Sequence, residues 1–173
     1  KMSNKPIILW FRQDLRLSDN PALDYAAKTL RPIIPIYVLD TNANIGAASK
    51  WWLYHSLQNL NQSLNQKLSF FIGDPQEIID KLIRENSAAE VVWNRCYEPT
   101  VIKRDKGIKE TLRNQNIQVK SFNSALLLEP QDTLKEDKTN YKVFTAFYKK
   151  NYLQGNAKIR LPIAKPSNLN LLK

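Results

Sequence analysis

Short apolar runs alternate with longer amphipathic segments over residues 7–122 of the chain. The runs are rich in β-branched and aromatic side chains, a pattern typical of strands that are buried on both faces. They comprise Ile7–Phe11, Ile33–Leu39, Leu68–Ile72, Val91–Trp93 and Gln118–Phe122. The segments between them carry apolar residues at helical spacing, as in the series Leu53, Leu57, Leu60 and Leu64. The pattern therefore predicts five strands separated by helices.

This alternation predicts an α/β protein made of βαβ units with right-handed crossovers. We expect a three-layer, Rossmann-like fold, in which a five-stranded parallel sheet of order 3-2-1-4-5 carries helices on both faces. The strand order then reverses between strands 1 and 4, and open sheets of this kind bind ligands at that point. We expect a crevice there between the Phe11–Arg16 and Asn94–Pro99 loops, with Asp40 on one flank.

Polar residues followed by prolines predict where helices start, and a change in the pattern predicts the domain boundary. Ser18, Asp19 or Asn20 can cap a helix that starts at Pro21, and Asp74 can cap one that starts at Pro75. Ser49 is the expected cap of the second helix. The pattern changes after Ser124. We expect an α/β domain over residues 1–130, and a closing helix at residues 141–150 followed by the start of an interdomain linker over residues 131–173.

Composition excludes several classes of site. The single Cys96 cannot form an internal disulfide, and His55 is the only histidine, so we expect no metal site. Residues 1–45 contain no glycine, which excludes the glycine-rich phosphate loops of dinucleotide-binding and Walker-type proteins. No apolar run reaches the roughly 20 residues that span a bilayer. We expect a soluble, cytoplasmic and monomeric protein.

The formal charge of +10 is concentrated near the C-terminus, where residues 131–173 hold nine Lys/Arg and three Asp/Glu. This distribution favours a solvated linker or the edge of an interface. One alternative is a nucleic-acid-binding protein, in which Tyr148-Lys149-Lys150 and Tyr152 form a basic strip for base stacking.

A longer motif resembles one particular family. Trp10-Phe11-Arg12-Gln13-Asp14-Leu15-Arg16, followed by Asp19-Asn20 and Ala22-Leu23, is similar to the opening motif of the DNA photolyase/cryptochrome family. The resemblance continues through Gly73-Asp74-Pro75 and Arg104-Asp105 to Tyr141–Phe147. Two positions depart from the family pattern, with Lys50 where Arg is usual and Ala146 where proline is usual.

This resemblance implies the N-terminal domain of such a protein, which holds a light-harvesting antenna chromophore. The all-helical domain that binds FAD and damaged DNA is absent, so we expect no repair activity and no catalytic residue in this chain alone. The implied partners are the protein's own C-terminal FAD-binding domain and, through the parent protein, damaged DNA.

The expected chromophore site combines flat rings with orienting charges. Phe11, Tyr37, Trp51 and Tyr97 could supply rings, whereas Arg12, Asp40, Lys50 and Glu98 could supply charges; the resemblance adds Cys96 as a contact position. The resemblance implies that the chromophore is 5,10-methenyltetrahydrofolate or an 8-hydroxy-5-deazaflavin or flavin; a domain without an antenna chromophore is the third possibility. Some folate-binding relatives carry an Asn-Glu pair where this chain has Thr100 and Val101, whereas deazaflavins and flavins use the crevice itself.

The sequence leaves two alternatives to a photolyase domain open. The first is a cryptochrome photoreceptor as the parent protein instead of a photolyase that repairs pyrimidine dimers, because the residues that separate the two lie mostly in the absent domain. A stand-alone nucleotide- or flavin-binding module of the same fold class is the other alternative.

Overall fold

Five strands alternate with four helices over residues 7–122 in the computed structural model, which describes residues 4–41, 45–154 and 159–172. The elements are β1 (Ile7–Phe11), α1 (Pro21–Lys28), β2 (Ile33–Asp40), α2 (Ala47–Ser63), β3 (Ser69–Gly73), α3 (Pro75–Asn86), β4 (Glu90–Asn94), α4 (Pro99–Asn114) and β5 (Gln118–Phe122). All strand pairs are parallel, and the order is β3-β2-β1-β4-β5. The predicted fold class and strand order are confirmed.

Alternate residues of β1 serve two separate hydrophobic cores. Ile7, Leu9 and Phe11 face α1 and α2, whereas Ile8 and Trp10 face α3 and α4. Because successive side chains of a strand point to opposite faces, the continuous apolar run buries both faces of β1 at once. The arrangement has three layers, with a pair of helices on each side of the sheet.

Two of the three predicted helix caps are confirmed. The Asn20 side chain accepts a hydrogen bond from the Leu23 amide at 3.0 Å, and Asp74 accepts one from the Glu77 amide at 3.1 Å. The prediction for Ser49 is wrong, because α2 begins at Ala47 after Gly46 and no side chain caps it. The helix therefore starts three residues earlier than the position of Ser49 indicates, and no side chain caps its first amide groups.

The C-terminal segment returns to the sheet instead of leaving it. The Ile33 amide donates to the Asn170 carbonyl at 2.8 Å, and the Leu172 amide donates to the Ile33 carbonyl at 2.8 Å. Leu169 and Leu171 pack against the core beneath α1 and α2. Residues 1–124 and 163–173 form one compact unit for this reason.

Residues 125–162 form a second compact unit. It contains a 3₁₀ turn at Pro130–Thr133, helix α5 at Phe144–Tyr148 and a π-helical turn at Lys149–Leu153. The closing helix expected at residues 141–150 thus begins later and ends in a wider turn. The domain boundary at residue 130 stays a prediction.

None of the helices in the described part of the chain is long and apolar enough to cross a membrane.

Candidate functional site

A buried polar network joins the loops that follow β1 and β4. The Arg12 guanidinium donates to the Asp105 carboxylate at 2.5 Å and to the backbone carbonyl of Asn94. The Asn94 side chain in turn donates to Asp14 at 2.5 Å and to Asn20 at 2.7 Å. These contacts bring together residues from β1, β4 and α4 at the carboxyl edge of the sheet.

The network occupies the space where the sequence predicts an open crevice. The two loops lie at the same edge of the sheet, as expected, but the Arg12 and Asp105 side chains that fill the space between them are only 6% and 8% exposed. A buried guanidinium must keep its carboxylate and carbonyl partners, because an unpaired charge in this environment is strongly unfavourable. The crevice expected between the two loops is therefore closed by the protein's own side chains.

An open pocket lies on the other side of the β1 loop, against the N-terminal half of α2. Its volume is about 800 Å³, within the range of small-molecule sites. The residues that line it are Arg12, Gln13, Leu15, Arg16, Tyr37, Ile45, Ala48, Ser49, Trp52, Leu53, Ser56 and Asn59. The walls thus come from the loop after β1, the end of β2 and the first turns of α2.

The pocket combines aromatic rings with positive charge. Tyr37 and Trp52 supply flat surfaces, Arg16 is cationic, and none of the described lining residues carries a carboxylate. The charge of Arg12, which also lines the pocket, is already paired with Asp105 on the β4 side. The first turn of α2, which contributes Ala48 and Ser49, also lacks an acidic residue and a side-chain cap. The positive end of the helix dipole adds to the field of Arg16. The pocket favours a planar ligand with a negatively charged substituent.

Backbone carbonyl groups hold the Arg16 side chain in position. Its guanidinium donates to the carbonyls of Asp19, at 2.9 Å, and Ser124, at 2.7 Å. The Asp19 carboxylate is 3.9 Å away, and both side chains are partly exposed. The carbonyl groups orient the guanidinium without neutralising it, so Arg16 is the better placed of the two arginines to attract an anion.

Two of the predicted site residues, Arg12 and Tyr37, line this pocket. Burial raises the pKa of the Tyr37 hydroxyl, which therefore stays protonated and can donate a hydrogen bond. Phe11 is 0% exposed and belongs to the core beneath α1 and α2. Asp40 forms an ion pair with Arg104 at 2.8 Å. Lys50 is exposed in the first turn of α2, outside the set of lining residues.

The predicted residues Cys96, Tyr97 and Glu98 lie on the β4 side, and Tyr97 is half-buried and outside the set of residues that line the pocket. Cys96 is buried, and desolvation raises the pKa of its thiol. The Glu98 carboxylate accepts a hydrogen bond from Gln13 Nε2 at 2.7 Å, which is the main reason that its pKa is lowered. It stands at the N-cap position of α4 but makes no capping hydrogen bond. Glu98 therefore reaches the pocket indirectly, through Gln13.

Sequence reasoning missed several pocket residues, of which Arg16 and Trp52 are the most informative. The adjacent pair Trp51 and Trp52 was a usable signal, because both residues cannot face one core. The ring that lines the pocket belongs to Trp52, whereas Trp51 was the expected one; both are largely exposed, at 70% and 62%. The rotation of α2 about its axis decides which of the two rings faces the pocket, and the sequence alone does not fix that rotation to within one residue.

The aromatic strip of the second unit has a different character from the pocket. The ring of Tyr148 stacks on Phe144 at 5.7 Å and on Tyr152 at 5.5 Å, with interplanar angles of 20° and 22°. Ring faces that already stack on one another are less available to nucleobases. Binding of nucleic acid by this strip stays a prediction.

Comparisons with known proteins identify the family. The family model described as DNA photolyase matches residues 7–167. A deoxyribodipyrimidine photo-lyase of Agrobacterium fabrum is 39% identical over 99% of this chain and 36% of its own length. Cryptochrome-2 of Arabidopsis thaliana is 36% identical over 87% of this chain and 26% of its own length.

Solved structures agree with this assignment. The crystal structure of a class III photolyase from Agrobacterium tumefaciens has a TM-score of 0.90 at 39% identity, and the match covers 100% of this chain and 36% of that one. A cryptochrome from Synechocystis has a TM-score of 0.85 at 26% identity, over 96% of this chain and 37% of its own. The chain thus spans little more than a third of these relatives. It belongs to the DNA photolyase family and corresponds to the N-terminal domain of its members.

Proposed function

We propose that this chain is the light-harvesting, chromophore-binding domain of a deoxyribodipyrimidine photolyase. In this proposal a further helical domain binds FAD and damaged DNA, and the complete protein splits pyrimidine dimers with light. The match to photolyases over the whole chain supports the proposal, as does the 36% share of the Agrobacterium relative that it spans. The chain contains no group that we assign to catalysis.

The pocket between the β1 loop and α2 is the proposed chromophore site, and it is the observation that carries the proposal. A pigment needs flat apolar walls and a few fixed polar groups to hold its orientation. Tyr37 and Trp52 provide the walls, Leu53 adds an aliphatic contact, and Ser56 and Asn59 offer hydrogen bonds along the same face of α2.

The charge of the pocket narrows the class of pigment. Arg16 and the uncapped start of α2 favour a planar pigment that carries a carboxylate or phosphate. Both 5,10-methenyltetrahydrofolate, through its glutamate tail, and an 8-hydroxy-5-deazaflavin or flavin with a phosphate meet this description. Thr100 and Val101, at the alternative folate position, do not line the pocket.

Binding of each pigment to the 173-residue chain tests the proposal. The chain is titrated with methenyltetrahydrofolate, with an 8-hydroxy-5-deazaflavin and with FMN, and binding is followed by near-ultraviolet and visible absorbance after gel filtration. We expect Trp52→Ala to abolish retention of the bound pigment and the matched change Trp51→Ala to preserve it. Failure of all three pigments to bind, or equal loss in both variants, would overturn the assignment of the pocket.

A cryptochrome is the second candidate for the complete protein, and the similarity to Arabidopsis cryptochrome-2 favours it. The two candidates share the antenna domain and differ in repair. Light-dependent loss of cyclobutane dimers from irradiated DNA, measured with the complete gene product, supports the photolyase. Absence of repair with normal FAD content supports the cryptochrome.

A further inference from the structure

Two buried tryptophans lie side by side on the face of the sheet that packs against α3 and α4. Trp10 and Trp93 are register partners on β1 and β4, and they are 2% and 0% exposed. Their ring centroids are 5.6 Å apart with an interplanar angle of 68°, an edge-to-face pair. The other two tryptophans, Trp51 and Trp52, lie exposed on α2.

Cations cover both rings of the buried pair. Above Trp10 lie the guanidinium carbons of Arg12 and Arg104, at 4.9 Å and 5.1 Å from its centroid. Arg12 also lies 5.9 Å from the Trp93 centroid, and Lys109 Nζ lies 5.6 Å from it. Each indole therefore has two positive groups within the range of a cation–π contact.

The two indole N–H groups share a second unusual property. Nε1 of Trp10 and Nε1 of Trp93 are buried, and neither has a hydrogen-bond acceptor among the described residues. Buried donors of this kind are rare in folded proteins, since most polar groups find a partner. An indole without an acceptor has no group to which it can release its proton.

Both properties protect the excited state of an indole. An excited indole is deactivated when it passes an electron to an acceptor such as a peptide carbonyl, which leaves an indole radical cation until the electron returns. Nearby positive charge destabilises that radical cation, and the lack of a proton acceptor removes the proton loss that would stabilise it. Excitation on Trp10 or Trp93 then persists long enough to be transferred.

We propose that Trp10 and Trp93 form a protected ultraviolet donor pair, which passes excitation energy to the pigment in the proposed pocket on the opposite face of the sheet. Arg12 connects the two features, because it lies over both rings and also lines the pocket. Resonance energy transfer between aromatic groups and pigments operates over several times such contact distances. The energy transfer rests on the proposed function of the pocket as a pigment site. It would let the domain collect light at wavelengths at which the pigment itself absorbs weakly.

The first test needs no pigment. Time-resolved tryptophan fluorescence of the 173-residue chain is compared among Arg104→Met, Lys109→Met and the matched control Lys106→Met, which removes an exposed lysine from the same helix. We expect the lifetime of the blue-shifted, buried component to be shorter in the first two variants and unchanged in the control. Circular dichroism should be the same for all three variants. An unchanged lifetime in both variants, or an equal change in the control, would overturn the protection.

The second test uses the chain loaded with whichever pigment it retains. Pigment emission is recorded while only tryptophan is excited, at the red edge of protein absorbance. We expect Trp93→Phe and Trp10→Phe each to remove a large part of this sensitised emission. Trp51→Phe should remove a smaller part, because this exposed indole lies within range of the pigment but lacks the protection of the buried pair. Equal losses in all three variants would contradict the donor pair. Failure to bind any pigment refutes the proposed function instead, and the lifetime measurement still decides the protection.

Discussion

The Arg12 guanidinium and the Asp105 carboxylate, which are 93 positions apart in the chain, form a buried ion pair of 2.5 Å at the carboxyl edge of the sheet. Arg12 belongs to the loop after β1, whereas Asp105 lies in the second turn of α4. This single contact ties α4 to β1 and also closes the space between the β1 and β4 loops. It leaves the pocket at α2 as the open site beside Arg12.

We expect Asp105→Asn to destabilise the fold by about 3 kcal/mol, because it leaves the Arg12 charge buried without its carboxylate. Urea unfolding followed by circular dichroism measures the difference. The control is Glu85→Gln, which breaks an exposed pair with Lys81 and should change stability by less than about 1 kcal/mol. Similar losses in the free energy of unfolding in both variants would show that burial of the Arg12–Asp105 pair adds nothing to its effect on stability.

The hydrogen bond from Gln13 to Glu98 predicts a pH effect. It lowers the pKa of Glu98 in the folded state, so its contribution to stability is present above the unfolded pKa of about 4.3 and is lost as the pH falls through the lower folded value. We expect Gln13→Leu to raise the pKa of Glu98, as measured by carboxyl NMR titration. The difference in stability between the two proteins should be largest at neutral pH. An unchanged titration would contradict the assigned cause.

Cys96 gives a third prediction, because it is the only thiol and its pKa is raised by burial. Alkylation requires the thiolate and access, so both burial and the raised pKa slow the reaction. We expect native protein at pH 8 to react with iodoacetamide far more slowly than protein unfolded in urea. Comparable rates in the two states would show that the loop after β4 opens readily and that Cys96 is not protected.

The charge of the pocket is tested with two variants that each remove one positive charge. We expect Arg16→Gln to weaken binding of the retained pigment by about tenfold, the effect of losing one charge-assisted hydrogen bond. Lys50→Gln removes a charge of the same sign outside the lining residues and should have a smaller effect. Equilibrium dialysis at two salt concentrations measures both, and thermal unfolding controls for the carbonyl contacts of Arg16. Equal weakening by the two changes would mean that only the general field of the domain attracts the pigment.

Local patterns predicted most of the fold. The strands Ile7–Phe11 and Gln118–Phe122 have the predicted bounds, and the caps Asn20 and Asp74 are used as expected. Each depends on neighbours in sequence: a run of β-branched and aromatic residues with breakers at its ends, or a polar side chain before a proline. The prediction failed at Ser49, because α2 begins three residues earlier, after Gly46, and no side chain caps it.

The site was less predictable, because its geometry depends on long-range partners. Nothing near Arg12 in the sequence indicates that Asp105 and Asn94 complete its contacts, and those contacts are what close the predicted crevice. The return of residues 163–172 to Ile33 has the same origin. The resemblance to the photolyase family identified the domain, yet it could not indicate which side of the β1 loop stays open.

The most direct measurement of the central claim is a crystal structure of the chain with its retained pigment bound. We predict that the ring system lies within van der Waals contact of Trp52 and Tyr37, with its carboxylate or phosphate near Arg16. A pigment seated beside Asn94–Pro99, with the Arg12–Asp105 pair displaced, would contradict the account.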